Sequence, residues 1–482
     1  MPAPFSRMRK LDLSSIAYAA WAREEFAHAN LCDSRRTERL VRIAERVAQH
    51  PAGTVTEVFA NRPQEREAAY DFLENSSCSS EGIAWAQCRA TARRCKEFPF
   101  VFVPTDGSSL QFPDEEGAKG LGFIGTHKAG ARGLKVLTAI AVSPDGVPLG
   151  VLGQAWWLRL TKAKVPSAKR KVQDKETRYW LEVPAQAMAA LRAEEAEVEP
   201  WYQYDREGDS WPVLLEAIQQ SLSRYTTVRA SRDRCLALDP EGEDDTKPGG
   251  KLRAALEREQ PEAVYMLDVP GGKKRKARKA RMVLRFGEVT LNLRNQWTNS
   301  TYEAPLFAVW AREEGTTTPG EDPVDWLLLT TYPVDSVEDA CLVLFGYSQR
   351  WRIEEYHAAL KDRGCAVEDS QLRTEESLRK WATVLSAVAM RLLRLTYLGR
   401  KHPTLPASVE LSPAECQALV LACELKTPAE RLTIGQAVLA LANLGGYVGP
   451  NSGGPPGFMA LRRGLHEIRT LAQVVERALA AG

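Results

Sequence analysis

The stretch Phe98-Pro-Phe-Val-Phe-Val-Pro-Thr-Asp106-Gly107 begins the part of the chain that decides the fold. Its apolar run, residues 98–103, is short and rich in strand formers, which predicts a buried β-strand. Asp106 follows directly, so we expect a carboxylate just past the end of this strand. Asp106-Gly107 is also a good turn pair, and an aspartate that serves only a turn or a helix cap is the alternative interpretation.

Further strands and helices alternate after this strand. The pattern predicts strands at 134–142, 147–156 and 201–204, the first two joined by a Pro-Asp-Gly turn, and a helix at 211–223. This alternation predicts an α/β core. From about 225 to 330 the pattern turns to strands again, which we interpret as a β-rich insertion.

Both ends of the chain are predicted to be helical. The first 76 residues show helical periodicity, with Ser34 as a candidate helix cap, and a polar run then marks a domain boundary. Long helices are predicted at 337–363 and 376–398, followed by a proline-rich linker at 399–413. The predicted domains are therefore 1–76, 77–400 with the insertion, and 401–482.

Composition narrows the class of protein. A chain of 482 residues with 44% hydrophobic residues is expected to form about two to four domains with real cores. No uninterrupted apolar run suits a membrane span, and the N-terminus lacks the apolar core of a signal peptide, so we expect a cytoplasmic protein. The nine cysteines show no C-x-x-C spacing, which argues against structural zinc.

The net charge of +2 says little about partners, but the basic residues are clustered. Residues 273–285 contain eight basic residues and no acid, and a second basic cluster covers 162–175. Each cluster is either a solvated loop or a surface that contacts DNA phosphates.

The strongest signal is Tyr347-Ser-Gln-Arg350-Trp-Arg-Ile-Glu354-Glu-Tyr-His-Ala-Ala-Leu-Lys361. On a helix, Tyr347, Arg350, Glu354 and Lys361 lie within roughly 60° of one another. Glu355 falls outside this stripe, so Glu354 is the better candidate for chemistry. The alternative is an ordinary solvated face with salt bridges.

Two aspartates complement this stripe. Asp205 is predicted just past the strand at 201–204, as Asp106 is past its own strand, and ligands of α/β sheets collect at such strand ends. Together with Glu354, these acids from separated segments could hold two divalent metal ions. Such a pair activates a water or a 3′-hydroxyl and stabilises the leaving oxygen in phosphoryl transfer.

The pattern Tyr-x-x-Arg-x-x-x-Glu-x-x-x-x-x-x-Lys resembles the signature of the insertion-sequence-four family of DDE transposases. Other stretches are similar to the family in the same order along the chain: Cys32 to Leu40, Asp205-Arg-Glu-Gly-Asp, the basic run before Val283, Trp326-Leu-Leu-Leu-Thr and Leu444-Gly-Gly-Tyr. One family lysine is replaced by Ala358, which puts one phosphate contact in doubt.

The resemblance implies a ribonuclease-H-like catalytic core with a β-strand insertion, flanked by helical domains. Asp106, Asp205 and Glu354 would be the catalytic metal ligands for two Mg²⁺ ions, with Mn²⁺ as a substitute. Trp326, helped by Trp351, would stack near a flipped base. The remaining expected DNA contacts are Tyr347, Arg350, Lys361, His357, Arg229, Arg35, Arg36, Arg39, Lys273, Lys274, Arg275 and Lys276.

The implied function is cut-and-paste transposition in the bacterial cytoplasm, associated with the nucleoid. The partners would be transposon-end and target DNA, and a second copy of the chain in a synaptic dimer. The apolar stripe at 458–480 would face either that copy or its own core. Two other functions remain open: an end-binding repressor without chemistry, and a plain nuclease or resolvase on the same core.

Overall fold

The computed structural model describes residues 15–114, 117–125, 130–159, 166, 169–237, 250–269, 271, 276–315, 321–361, 364–450 and 454–481. The helices are α1 (Ser15–Phe26), α2 (Ser34–Gln49), α3 (Val55–Val58), α4 (Pro63–Glu74), α5 (Ser80–Cys95), α6 (Tyr179–Ala193), α7 (Trp211–Gln219), α8 (Leu252–Arg258), α9 (Val337–Ser348), α10 (Trp351–Leu360), α11 (Glu375–Lys401), α12 (Pro413–Ala422), α13 (Ile434–Leu444) and α14 (Phe458–Ala481). The strands are β1 (Phe100–Gln111), β2 (Gly122–Phe123), β3 (Arg132–Val142), β4 (Pro148–Trp157), β5 (Glu199–Tyr204), β6 (Tyr225–Arg229), β7 (Ala263–Val269), β8 (Arg278–Arg294), β9 (Thr301–Glu313) and β10 (Asp325–Thr330).

All these strands belong to one mixed sheet. The order is β3-β1-β5-β6-β10-β9-β8-β7, with β4 and the short β2 both paired to β3. The β1–β5 and β5–β6 pairs are parallel, whereas the other pairs are antiparallel. The fold is therefore mixed α/β with helical regions at both ends. This confirms the predicted fold class and is consistent with a ribonuclease-H-like core.

Alternating side chains on the central strands enter two separate cores. Phe102 and Trp201 pack on the face that carries α10 and α11, while Val103 and Tyr202 pack on the opposite face with α6. Successive residues of a strand point to opposite faces, so a strand covered by helices on both faces reads as a continuous apolar run. This explains why 98–103 lacks polar alternation.

Helix α11 is the centre of the α-helical side. It packs against α2, α4, α5, α10, α13 and α14, and against β4. Among the described residues it is the helix long and apolar enough to cross a membrane, but 83% of its most apolar window is buried inside the protein. Its apolarity is thus explained by its position in the core.

The structure corrects several boundaries. The predicted helix at 337–363 is interrupted after Ser348, because Arg350 N donates to Tyr347 O and Arg352 N donates to Gln349 O, which makes one turn tighter than an α-helix. The cap of α2 is Asp33, which accepts from Arg35 N, and Ser34 is the first helical residue.

Near the C-terminus, the segment predicted as a linker is packed against the protein. Ala407 and Leu411 are buried, and the chain pairs through Pro406 and Thr433. The apolar stripe of α14 packs on its own chain, with Leu461 and Ile468 buried among α11, α12 and α13. This stripe therefore does not by itself require a partner chain. The three-domain division stays a prediction.

Candidate active site

Asp106 and Asp205 occupy neighbouring positions on two parallel strands. The register of β1 and β5 pairs Phe102 with Trp201 and ends at Thr105 paired with Tyr204, so the aspartates are the next residue of each strand. Because side chains alternate, both carboxylates fall on the face that carries α10.

The local structure around the two aspartates differs. Asp205 follows the end of β5, as predicted, and its Oδ1 accepts from Glu207 N at 2.7 Å. Asp106, however, lies within β1, opposite Thr138 of β3, so the expectation that it lies past the strand end, and the turn interpretation, were wrong. The strand continues because β3 pairs with it as far as Gln111, a partner that no local pattern reveals.

The Asp106 carboxylate is poorly compensated. Burial raises its pKa to about 7, Asp205 adds to the rise and Glu207 contributes further, while the Gly107 amide and Arg350 oppose it. Two adjacent carboxylates in a partly desolvated position repel each other, and a divalent cation would relieve that repulsion. Oxygen ligands of this kind fit Mg²⁺.

Helix α10 carries Glu354, and Arg350, the residue just before this helix, links Glu354 to Asp106. Arg350 Nη2 lies 2.6 Å from Glu354 Oε1, and Arg350 Nη1 lies 3.8 Å from Asp106 Oδ2. Glu355 lies on another face, where it accepts from the Tyr397 hydroxyl at 2.7 Å. The helical geometry thus separates the two adjacent glutamates, as the stripe predicts.

Within the described part of the chain, no three acidic, histidine or cysteine side chains converge closely enough to form a closed metal site. Asp106 and Asp205 supply a pair, whereas Glu354 is held by Arg350. The donor chemistry fits a divalent ion, provided that Glu354 turns away from Arg350 to join the pair.

Tyr347 and Trp326 form an aromatic wall beside the arginine. Their rings meet edge to face, with centroids 5.2 Å apart and an interplanar angle of 78°. Trp326 lies on β10, whose Leu328 pairs with Arg229 of β6, and Arg229 Nη2 donates to Asp325 O at 2.9 Å. The long-range pairing of β6 with β10 is what brings the predicted Arg229 and Trp326 together.

Two polar atoms of the signature, Arg350 Nε and His357 Nε2, are buried and have no hydrogen-bond partner among the described residues. The buried Tyr347 hydroxyl lies beside Arg229 and Arg350. An unmade hydrogen bond in a buried position costs about 1–3 kcal/mol. Burial also lowers the pKa of His357 to about 3, so its ring is neutral. These groups are candidates for binding a ligand with polar oxygens.

Two further signature residues are accessible. Trp351 is 52% exposed, and the Arg350 guanidinium lies 5.4 Å from the centroid of its ring. Lys361 is half-buried at the end of α10. Both remain candidates for DNA contact.

Sequence reasoning did not assign a role to Glu207 or Asp209. Glu207 adds negative charge beside Asp106. Asp209 is fully buried, pairs with Arg234 and accepts from Ser231 N at 2.7 Å, which anchors the loop that follows Asp205. The acids were visible in Asp205-Arg-Glu-Gly-Asp, but their partners lie more than twenty residues away.

The predicted N-terminal contacts lie on α2. Arg35 is exposed and pairs with Asp33 at 2.8 Å, Arg36 Nη1 donates to Leu31 O at 3.0 Å, and Arg39 is half-buried. Lys276 is exposed at the edge of the insertion. The predicted contacts Lys273, Lys274 and Arg275 lie outside the described residues.

Residues 18–78 match a protein-family model described as transposase DNA-binding. The matched segment begins inside α1 and contains α2, α3 and α4, which agrees with the prediction that the N-terminal helices bind DNA. The match supports a transposase that binds DNA.

Proposed function

We propose that this transposase is an enzyme of the DDE class, with the sequence signature of the insertion-sequence-four family, and that it excises and inserts its own element. One observation carries the proposal. Asp106 and Asp205 lie side by side where the parallel strands β1 and β5 stop pairing, and Arg350 links Glu354 to that pair.

In this proposal, one set of side chains binds metal ions and another binds DNA phosphate. Asp106, Asp205 and Glu354 would hold two Mg²⁺ ions, and Mn²⁺ would substitute. Such ions activate an attacking oxygen and stabilise the leaving oxygen of a phosphodiester. Arg350 and His357 offer buried polar atoms that lack partners among the described residues, and Tyr347 offers a hydroxyl beside Arg350, which suits the non-bridging oxygens of a bound phosphate. Lys361 would add a second positive charge beside the same strand.

The aromatic residues suit a distorted DNA end. Trp326 lies beside Tyr347, and Trp351 presents an exposed ring next to Arg350. Extruding a base from the DNA stack costs a few kcal/mol of free energy, and stacking of that base on such rings offsets this cost. This supports a reaction in which one strand is nicked, the freed 3′-hydroxyl forms a hairpin on the opposite strand, the hairpin is reopened and the 3′ ends attack target DNA.

Two copies of the chain would act together, because two ends must be held for coordinated joining. The C-terminal helices are the proposed dimer interface, although the apolar side of α14 already packs within its own chain. Val448 and Val474 are exposed apolar residues of this region, and they are left for a partner. Light scattering of the full chain with end DNA should show two copies per paired-end complex.

The test is a cleavage assay with DNA that carries the inverted repeats flanking the gene. The proposal predicts nicks at the repeat ends, then hairpins and strand-transfer products, all of which require Mg²⁺. Binding without cleavage would favour the repressor, and cleavage without joining would favour a nuclease. Glu355→Gln is the matched control for Glu354→Gln, because the two residues are adjacent and face different surroundings.

A further inference from the structure

A second basic site lies apart from the carboxylates, in a cavity of about 340 Å³. Three segments form it: the end of the basic cluster at 162–175, the first residue of α7, and the turn between β8 and β9. The lining residues that matter here are Arg170, Lys171, Lys175, Trp211, Asn295 and Trp297. Among the described residues, its lining shares no member with the candidate active site and includes no acidic residue.

The positive charges of this cavity are not neutralised by the described residues. Arg170 Nη1 donates to the backbone oxygen of Asp174 at 3.1 Å, but its Nε is buried and has no partner in the part of the chain that the structure describes. Lys175 is half-buried, and burial together with the neighbouring Arg170 lowers its pKa. Cations crowded in this way are stabilised by an anion.

Aromatic rings stand beside these cations. Trp297 is 49% exposed, and Lys171 Nζ lies 5.4 Å from the centroid of its ring. Asn295 Oδ1 accepts from Trp297 N at 3.0 Å, which fixes the turn that carries the tryptophan. Trp211 is held parallel to Tyr302, with an interplanar angle of 5°. An exposed ring on a fixed turn is suited to stacking against another flat ring.

We propose that this cavity binds an unpaired nucleotide of DNA, with the base stacked on Trp297 and the phosphate held by Arg170 and Lys175. The inference rests on the proposed function only in taking DNA as the partner. Sites of roughly 300–1,000 Å³ take small molecules, so a single nucleotide fits whereas a duplex does not. The Asn295 side-chain amide lines the same cavity and offers a donor to a base edge.

The cavity is near the carboxylates along the chain but lies on the other face of the sheet. Trp211 is the first residue of α7, six residues after Asp205, and it packs against the core on the face opposite the two aspartates. The basic cluster predicted as either a solvated loop or a phosphate contact thereby gains a specific role. Unpaired nucleotides arise wherever a DNA end is opened or cut with a stagger.

Fluorescence anisotropy in EDTA tests this proposal without any chemistry. The probes are a labelled duplex with a three-thymidine single-stranded tail, the same duplex with a blunt end, and the same duplex with an abasic tail. Trp297→Ala should weaken binding of the thymidine-tailed duplex about tenfold, since stacking contributes roughly 1–3 kcal/mol per base. Binding of the blunt and abasic duplexes should not change, and Trp297→Phe should restore most of the affinity.

The charge is tested by salt titration. Lys175→Ala should reduce the salt dependence for the tailed duplex by about one phosphate contact, whereas the exposed Lys426→Ala, on the C-terminal helical region, should not. Equal affinity of Trp297→Ala and wild type for the thymidine tail would overturn the proposal, as would an equal loss on all three duplexes. Free thymidine monophosphate bound as tightly as the tailed duplex would reassign the cavity to free nucleotides and also overturn it.

The outcomes separate this inference from the proposed function. If Trp297→Ala weakens binding of the thymidine-tailed duplex alone but the wild-type protein never nicks DNA in Mg²⁺, only the proposed chemistry is contradicted. If the protein nicks the DNA ends of its element but binds the thymidine-tailed, blunt and abasic duplexes alike, only the proposed nucleotide site is contradicted.

Discussion

Arg350 holds Glu354 by an ion pair of 2.6 Å between Nη2 and Oε1. The third acid of the candidate site is thus neutralised by the signature's own arginine, which also lies 3.8 Å from Asp106. A metal ion bound at the proposed site would compete with this guanidinium for the same carboxylates. Binding of DNA phosphate by Arg350 would therefore favour release of Glu354 toward the metal.

This competition predicts that Arg350→Gln changes metal binding and DNA nicking in opposite directions. Arg350→Gln should bind Mn²⁺ several-fold more tightly than wild type in the absence of DNA, because a repelling charge is removed. The same variant should nick DNA ends poorly, since it lacks a phosphate contact. Titration of Mn²⁺ by electron paramagnetic resonance measures the first effect, with Arg352→Gln as a control on the same helix. Weaker Mn²⁺ binding by Arg350→Gln would contradict the competition.

The raised pKa of Asp106 predicts how stability depends on pH in the metal-free protein. Because its folded-state pKa, about 7, exceeds its ordinary value of 3.8, the protonated form is favoured in the folded protein. This stabilising effect is fully present below about pH 4 and is lost as the pH rises through 7. Asp106→Asn should therefore raise the melting temperature at pH 8 in EDTA and change it little at pH 4. A lower melting temperature for the variant at pH 8 would count against a poorly compensated carboxylate.

Trp326→Ala should slow hairpin formation or opening more than first-strand nicking. In the proposed reaction, a flipped base would matter only once the second strand must bend sharply. Single-turnover assays of each step measure this, and an abasic nucleotide at the flipped position should partly rescue the variant. An equal loss at every step would instead indicate damage to the packing against Tyr347.

The buried pair of Asp209 and Arg234 supports the loop after Asp205, and its loss should affect folding first. Arg234→Ala leaves a buried carboxylate without its partner, which typically costs about 3–5 kcal/mol. Denaturant unfolding measures the change, with the exposed Arg206→Ala as the control. A loss below about 1 kcal/mol would show that the loop does not depend on this pair.

The sequence was sufficient for the fold class and for strands with strong local patterns. The run at 98–103 and the Pro144-Asp145-Gly146 turn are local signals, and β1 and the β3–β4 hairpin lie where they indicate. The full length of β1 was missed because it depends on pairing with β3, the next long strand of the chain. The break in the helix after Ser348 was missed because a tightened turn leaves the polar stripe almost unchanged.

Prediction of the candidate site from the sequence was likewise limited to features of single elements. Helical spacing was enough to separate Glu354 from Glu355, since that depends on one helix alone. The ion pair that holds Glu354, the buried Asp209–Arg234 pair and the crowded cations near Trp297 all depend on packing between distant segments. Such contacts follow from tertiary structure and leave no periodic pattern in the chain.

The central claim is that Asp106, Asp205 and Glu354 form one catalytic metal site, and the most direct test is first-strand nicking in Mg²⁺ by four single variants. Asp106→Asn, Asp205→Asn and Glu354→Gln should each lose about a thousandfold or more in rate, because each removes several kcal/mol of metal-dependent stabilisation. Each should still bind end DNA, and Glu355→Gln should nick at close to the wild-type rate. If any of the three nicks within a few-fold of wild type, or if Glu355→Gln fails as badly as Glu354→Gln while both remain folded, the assignment of the site is wrong.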